Sequence, residues 1–146
     1  MGHSSPHVEK VTDVIKVLNG GIEFYKDGMK KVTSGNIREM FNRMIDEKQQ
    51  AVLALETFAE QGSKDSHSSW SVEVRSMYTK ILSILTSDKN HAYVSQLEEI
   101  EDKVLEVIDE ALDANQPTVC ATELRRIRTR MQQCHDEMKS LQAATA

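Results

Sequence analysis

Val8, Val11, Ile15, Leu18, Ile22, Tyr25, Met29 and Val32 recur at alternating spacings of three and four near the start of the chain. Only an α-helix brings such positions onto one stripe, and a stripe of this spacing is the seam along which long helices pack side by side. The pattern returns at the far end, in Cys120, Leu124, Ile127, Met131, Cys134, Met138 and Leu141. Between them, Ile37, Met40, Phe41, Met44, Ala51, Leu55 and Phe58 form one further stripe, and Val94, Leu97, Val104 and Ile108 another, with Glu101 in its line. Such a chain reads as all-α. Two prolines and six glycines in 146 residues leave few interruptions, and the length suits one domain with a real core.

The breakers place the elements. Residues 1–6 read as a disordered N-terminal segment and 7–146 as one domain, with helices over about 7–34, 36–61, 70–86, 90–114 and 117–142. Ser34-Gly35-Asn36 and Asn115-Gln116-Pro117 are short turns, so the first two helices pair antiparallel and the last two do likewise. The connection from Gly62 to about Asn90 carries its own amphipathic helix, Val74, Met77, Tyr78, Ile81, Ile84 and Leu85 facing one way. A 16-residue helix traverses roughly 24 Å, most of a bundle's length. It therefore reads as a long crossover that returns the chain to the end from which the second helix started, giving an up-down-down-up four-helix bundle. An up-down-up-down bundle with the extra helix outside is the competing topology. Asn19-Gly20-Gly21 sits in the first helix, where each glycine costs about 1 kcal/mol against alanine. A kink or a closely approaching neighbour would account for it.

Charge and cysteine content narrow the function classes. A net charge of −5 carries no basic footprint for nucleic acid or anionic lipid, and no apolar run is long enough for a membrane helix. "MGHSSPHVEK" has no apolar signal core, and its histidines, His3 and His7, are kept out of the chemistry because the segment can be non-native. Cys120 and Cys134, on one helix, lie roughly 21 Å apart, too far for a disulfide, and read as buried free thiols in keeping with a cytoplasmic setting. Glycine-rich phosphate loops, Cys-x-x-Cys pairs and nucleophile elbows are absent from the sequence. The seven methionines are core filler.

"VSQLEEIEDKVLEV" (Val94–Val107) is the stretch where chemistry could sit. Its outer carboxylates read as a solvated face opposite the arginines of the last helix: folding about residue 115 sets Glu106 near Arg125, Asp102 near Thr129 and Glu99 near Gln132. Glu101 resists that reading, because it falls in the apolar stripe. A buried unpaired carboxylate is costly and needs a proton, a basic side chain or a cation. In the crossover topology Glu23 and Glu47, each twelve residues from Gly35, sit level, Glu101 lies near their height, and His135 lies about one turn away, closer to Glu98. Glu23, Glu47, Glu101 and His135 are thus candidate ligands for iron or manganese. Each has a plainer reading: Glu23 at the solvent edge, Glu47 beside a neutralising or snorkelling Lys48, His135 as a satisfied boundary residue. The dinuclear carboxylate pattern needs Glu-x-x-His on two helices. Glu47-Lys-Gln-Gln50 lacks the histidine and Gln132-Gln-Cys-His135 lacks the glutamate.

"LNGGIEFYKDG" (Leu18–Gly28), "FNRMIDEKQQ" running into "ETFAEQG" (Phe41–Gly62), "LEEIEDKVLEVIDEAL" (Leu97–Leu112) and "MQQCHDEMKSL" (Met131–Leu141) together resemble the small bacterial ferritin-like four-helix-bundle proteins of unknown function. The resemblance runs from about Val11 onward and implies a ferritin-like fold rather than an activity. It matches Glu23, Glu47, Glu101 and His135 to positions where that family carries polar residues, and its incomplete tetrads argue against oxidase chemistry and iron storage. The leading expectation is a cytoplasmic binding or interaction protein in stress physiology, not an enzyme, and a homodimer formed through the outer side of the crossover helix. The alternative is an iron- or manganese-binding protein using those four residues.

Overall fold

The computed structural model describes residues 6–59, 69–85 and 93–145. Among them are five α-helices and no strand: α1 Pro6–Met29, α2 Gly35–Leu55, α3 Ser69–Leu82, α4 Tyr93–Leu112 and α5 Thr118–Thr145, with a 3₁₀ turn at Glu56–Phe58. Residues 1–5 of the expected disordered segment, most of the polar loop after Gly62 and the Thr86-Ser87-Asp88 break lie outside the described residues, whereas Pro6, expected in that segment, opens α1. The second helix, expected to reach residue 61, ends sooner: α2 stops at Leu55, tightens into the 3₁₀ turn and is followed by an extended Ala59, while the expected start of the third long helix at residue 90 lies outside the described residues.

The first helix stops earlier than its apolar repeat. After Met29 the chain turns through Lys30 and Lys31, although Val32 remains buried. Arg38 of α2 explains the stop, because its guanidinium donates to the carbonyl oxygens of Met29 and Val32, as a cationic side chain does at a helix C-terminus. At the other short turn Asn115 takes a left-handed conformation, φ 57°, which asparagine tolerates better than most residues. Gln116 beside it donates to the carbonyls of Ala111 and His7, pinning the turn to the start of α1.

Pairings between helices fix their directions. Lys10 pairs with Glu110 and Tyr25 with Glu101, so α1 and α4 are antiparallel. Arg43 pairs with Glu137 and Arg130 with Glu47, so α2 and α5 are antiparallel. Asp109 meets Arg128 and Asp102 meets His135, so α4 and α5 are antiparallel as well. It follows that α2 and α4 run the same way. Helix α3 lies against α1 and α4 and runs with α1, since Phe24 stacks on Tyr78 and Lys31 reaches the Leu82 carbonyl. It therefore carries the chain back between α2 and α4, as the crossover reading requires.

The α4–α5 levels differ from those expected. Asp102 faces His135 rather than Thr129, and Asp109 takes Arg128. The short turn is not a symmetric fold about residue 115, because α4 ends at Leu112 and α5 begins only at Thr118. The shift is six residues, roughly 9 Å along α5 and about one and two-thirds turns, so side chains other than the expected ones face α4.

The core is continuous. Val11, Leu18 and Tyr25 of the first stripe are buried as expected, but so are Val14, Val17 and Phe24, because α1 touches α2, α3 and α4 rather than a single neighbour. Both cysteines are buried and free. No helix among the described residues is long and apolar enough to cross a membrane.

Candidate functional site

The polar centre of the molecule is built from the first four helices. Phe41, Met44, Lys48, Ala51 and Leu55 form the buried line of α2, so Lys48 stands where a three-four repeat demands an apolar residue. Glu101 stands in the same position on α4, between Leu97 and Val104. Both are sealed, Lys48 at 0% and Glu101 at 2% exposure. The Lys48 ammonium donates to Glu101 Oε1 at 2.8 Å. Tyr25 of α1 and Tyr78 of α3 each donate from Oη to Glu101 Oε2 at 2.7 Å. One carboxylate thus accepts from three other helices.

The surroundings hold these groups in place. Phe24, Tyr25, Phe41 and Tyr78 pack ring to ring, with Phe24 and Tyr78 stacked at 4.9 Å and Tyr25 edge-on to Phe41 at 5.0 Å. Gly21 makes room for the lysine. A Cβ there would stand 2.9 Å from Lys48 Cδ and Cε and from Tyr78 Oη. The Asn19-Gly20-Gly21 interruption is therefore a close approach and not a break: α1 continues through it.

Electrostatics follow from burial. Both tyrosines ionise well above the ordinary range, first because burial disfavours a phenolate and second because the Glu101 charge repels one. The Cys134 thiol is pushed up to about 12, mainly by burial, with the nearby Lys48 charge working against the rise. Cys120 is raised by burial alone. The two thiols therefore have no thiolate character at neutral pH.

The four candidate ligands are distributed over separate surroundings. Glu101 is in the sealed cluster. Glu47 is half-buried on the outer side of α2 and accepts from Arg130 at 3.1 Å. Glu23 is exposed. His135, 8% exposed, faces α4, with Asp102 Oδ1 2.9 Å and Glu98 Oε1 3.6 Å from Nε2 and Asp136 Oδ1 3.4 Å from Nδ1. Although Asp102 Oδ1 is close, His135 Nε2 is a buried ring nitrogen that makes no hydrogen bond. Asp136 is held below the usual carboxylate range, first by a hydrogen bond from Gln132 and then by His135. No group of three or more His, Cys, Asp or Glu among the described residues is placed to hold a metal ion. With both oxygens of Glu101 engaged by Lys48, Tyr25 and Tyr78, the donors do not fit a dinuclear carboxylate centre at this point.

Sequence reasoning assigned Lys48 to its neighbour Glu47 and passed over Tyr25 and Tyr78 as core aromatics. The signal for Lys48 was present: Ile37, Phe41, Met44, Lys48, Ala51 and Leu55 alternate spacings of four and three without a break. No comparable signal marks the tyrosines, whose hydroxyls matter only because Glu101 lies opposite.

A model of the family described as Domain of unknown function (DUF2383) matches residues 7–114, the stretch from α1 to α4 that holds the whole Lys48–Glu101–Tyr25–Tyr78 cluster. No curated protein and no solved structure matches the chain.

Proposed function

The chain belongs to that family of unknown function, and we propose that it is a four-helix bundle of ferritin-like connection acting as a non-catalytic interaction module, with a lysine supplying the positive charge of its polar centre. The observation that carries this reading is the ammonium of Lys48 lying 2.8 Å from the carboxylate of Glu101 with neither side chain open to solvent. In carboxylate-bridged dimetal bundles the inward glutamates are neutralised by metal ions. Here one inward glutamate is neutralised by the chain itself, and its second oxygen is saturated by two phenols that burial keeps protonated. A centre so arranged offers no open coordination position and no general base, and its role is to lock four helices in register. The chemistry available to a partner is then that of the outer faces of the helices.

The decisive measurement is the metal content of untagged protein produced with added iron and manganese. The reading expects far less than one metal per chain, in the wild type and in Glu101→Gln alike. Stoichiometric iron or manganese that disappears in Glu101→Gln would overturn it in favour of a metalloprotein.

A further inference from the structure

Helix α3 covers the groove between α1 and α4 on one side of the molecule. On the opposite side, no helix among the described residues lies over the groove between α2 and α5. That groove opens in two places. One stretch, of about 280 Å³, is floored by Ala51, Ala54 and Ile127 and flanked by Asp46, Arg126 and Arg130. The other, of about 520 Å³, lies toward the start of α2, with Arg43 on one wall and Asp136 and Glu137 on the other.

Two observations say what would fit there. The first is the order of charge. Along α2, Arg43 is followed by Asp46 and Glu47, and along α5, Arg126 and Arg130 are followed by Asp136 and Glu137. Because the helices are antiparallel, the basic part of each lies at the height of the acidic part of the other, as the pairs Arg43–Glu137 and Arg130–Glu47 show. The face is therefore complementary to itself. A two-fold axis parallel to the helices sets each α2 opposite the partner's α5 at unchanged height, so Arg43 comes to the height of the partner's Glu137 and Asp46 to that of the partner's Arg130. The second is apolar exposure. Leu53 is 63% and Val119 66% exposed, and they continue the outer lines Glu39, Arg43, Asp46, Gln50 on α2 and Glu123, Arg126, Arg130 on α5. Both lie toward the end of the face where α2 finishes and α5 begins, and the same axis brings Leu53 to the partner's α5 at that end.

We propose that the α2–α5 face is the contact surface of a two-fold homodimer of this chain, closed by Asp46 against the partner's Arg130 and by the exposed leucine and valine. The size is adequate. A helix of 21 residues is about 31 Å long and two adjacent helices are roughly 20 Å across, so the face offers on the order of 600 Å² before its contours are counted, near the roughly 800 Å² per partner of a stable interface. The proposal rests on the outer surface and is independent of the reading of Lys48.

Sedimentation equilibrium on the full chain tests it, with Asp46→Arg and Arg130→Glu run separately and then mixed. Wild type at about 100 µM, well above the roughly 1 µM dissociation constant that a modest interface gives, is expected at twice the 16.5 kDa chain mass. Each charge reversal places like charges at both copies of the contact and weakens association at least tenfold. Mixing the two variants restores opposite signs at both copies and recovers the dimer, with circular dichroism establishing that each remains helical. A monomeric wild type overturns the proposal and leaves the face to a different protein. A dimer indifferent to both reversals, yet broken by Val72→Glu on α3, places the contact on the crossover helix and overturns it equally.

Discussion

Replacing Lys48 with methionine keeps a side chain of similar length and removes only the ammonium. Glu101 is then left with two phenol donors and no cation, at a position with no access to water. Breaking a buried ion pair by removing one partner costs about 3–5 kcal/mol, because the remaining charge has lost its solvation and gained nothing in return. That is a large part of the roughly 5–15 kcal/mol that holds a domain of this size together. With a midpoint shift of about 2–4 °C per kcal/mol for a chain of this length, the variant should melt roughly 6–20 °C below wild type. Glu101→Gln retains an acceptor for the tyrosines but leaves the ammonium uncompensated, and should lose a comparable amount. In the double variant neither charge remains. If the two groups act as a pair, its loss falls short of the sum of the singles by about 1–3 kcal/mol. Urea unfolding at neutral pH, followed by circular dichroism on all four proteins, gives the cycle. Additive losses, or a Lys48→Met variant within about 0.5 kcal/mol of wild type, would refute the claim that this pair organises the core.

The two adjacent glycines should respond oppositely. Gly20→Ala meets nothing within 4 Å and should stabilise α1 by about 0.5–1 kcal/mol, whereas Gly21→Ala presses on Lys48 and Tyr78, which their bonds to Glu101 hold still, and should lose about 1–2 kcal/mol net; the same unfolding assay reads both. Tyr78→Phe removes the hydroxyl bond by which α3 is tied to α4 and should cost about 1.5–3 kcal/mol, with hydrogen exchange rising in Ser69–Leu82 before other helices. In alkali the sign is set by raised folded-state values: Tyr25, Tyr78 and Cys134 hold their protons in the native state above the pH at which an unfolded chain releases them. Their contribution is therefore complete below about pH 9 and is lost as the pH climbs past 9 for the thiol and past 10 for the phenols. Phenolate absorbance from Tyr25 and Tyr78 should appear together with loss of helix; a phenolate signal that precedes unfolding at either residue, located with Tyr→Phe variants, would contradict the burial argument.

How much of this was legible in the sequence depends on which coordinate of a helix is asked about. Height was readable between α2 and α4, though not between α4 and α5, whose pairs sit six residues from the expected ones. Counting from the Ser34-Gly35-Asn36 turn put Glu101 near the level of residue 47, and the structure pairs Glu101 with Lys48, one residue on. Direction was readable only as a preference: a middle segment long enough to retrace the bundle favours a parallel α2 and α4 over the up-down-up-down alternative, and the pairings of both helices with α5 decide between them. Azimuth was not readable. One residue of helix is about 100° of rotation, so the choice between Glu47 and Lys48 separates an outer salt bridge to Arg130 from the sealed centre. A search for acidic ligands selects Glu47, whereas the unbroken four-three line through Phe41, Met44, Ala51 and Leu55 selects its neighbour. The error has a physical origin: a charged residue in an apolar line is discounted as a solvent-seeking interruption, unless an opposite charge occupies the matching gap on another helix. Glu101 was recognised as such a gap and Lys48 was not, yet each is intelligible only through the other. Tyr25 and Tyr78 extend the same logic, since an amphipathic ring fits an apolar stripe whatever its hydroxyl does, and only the fold places the two hydroxyls on one oxygen.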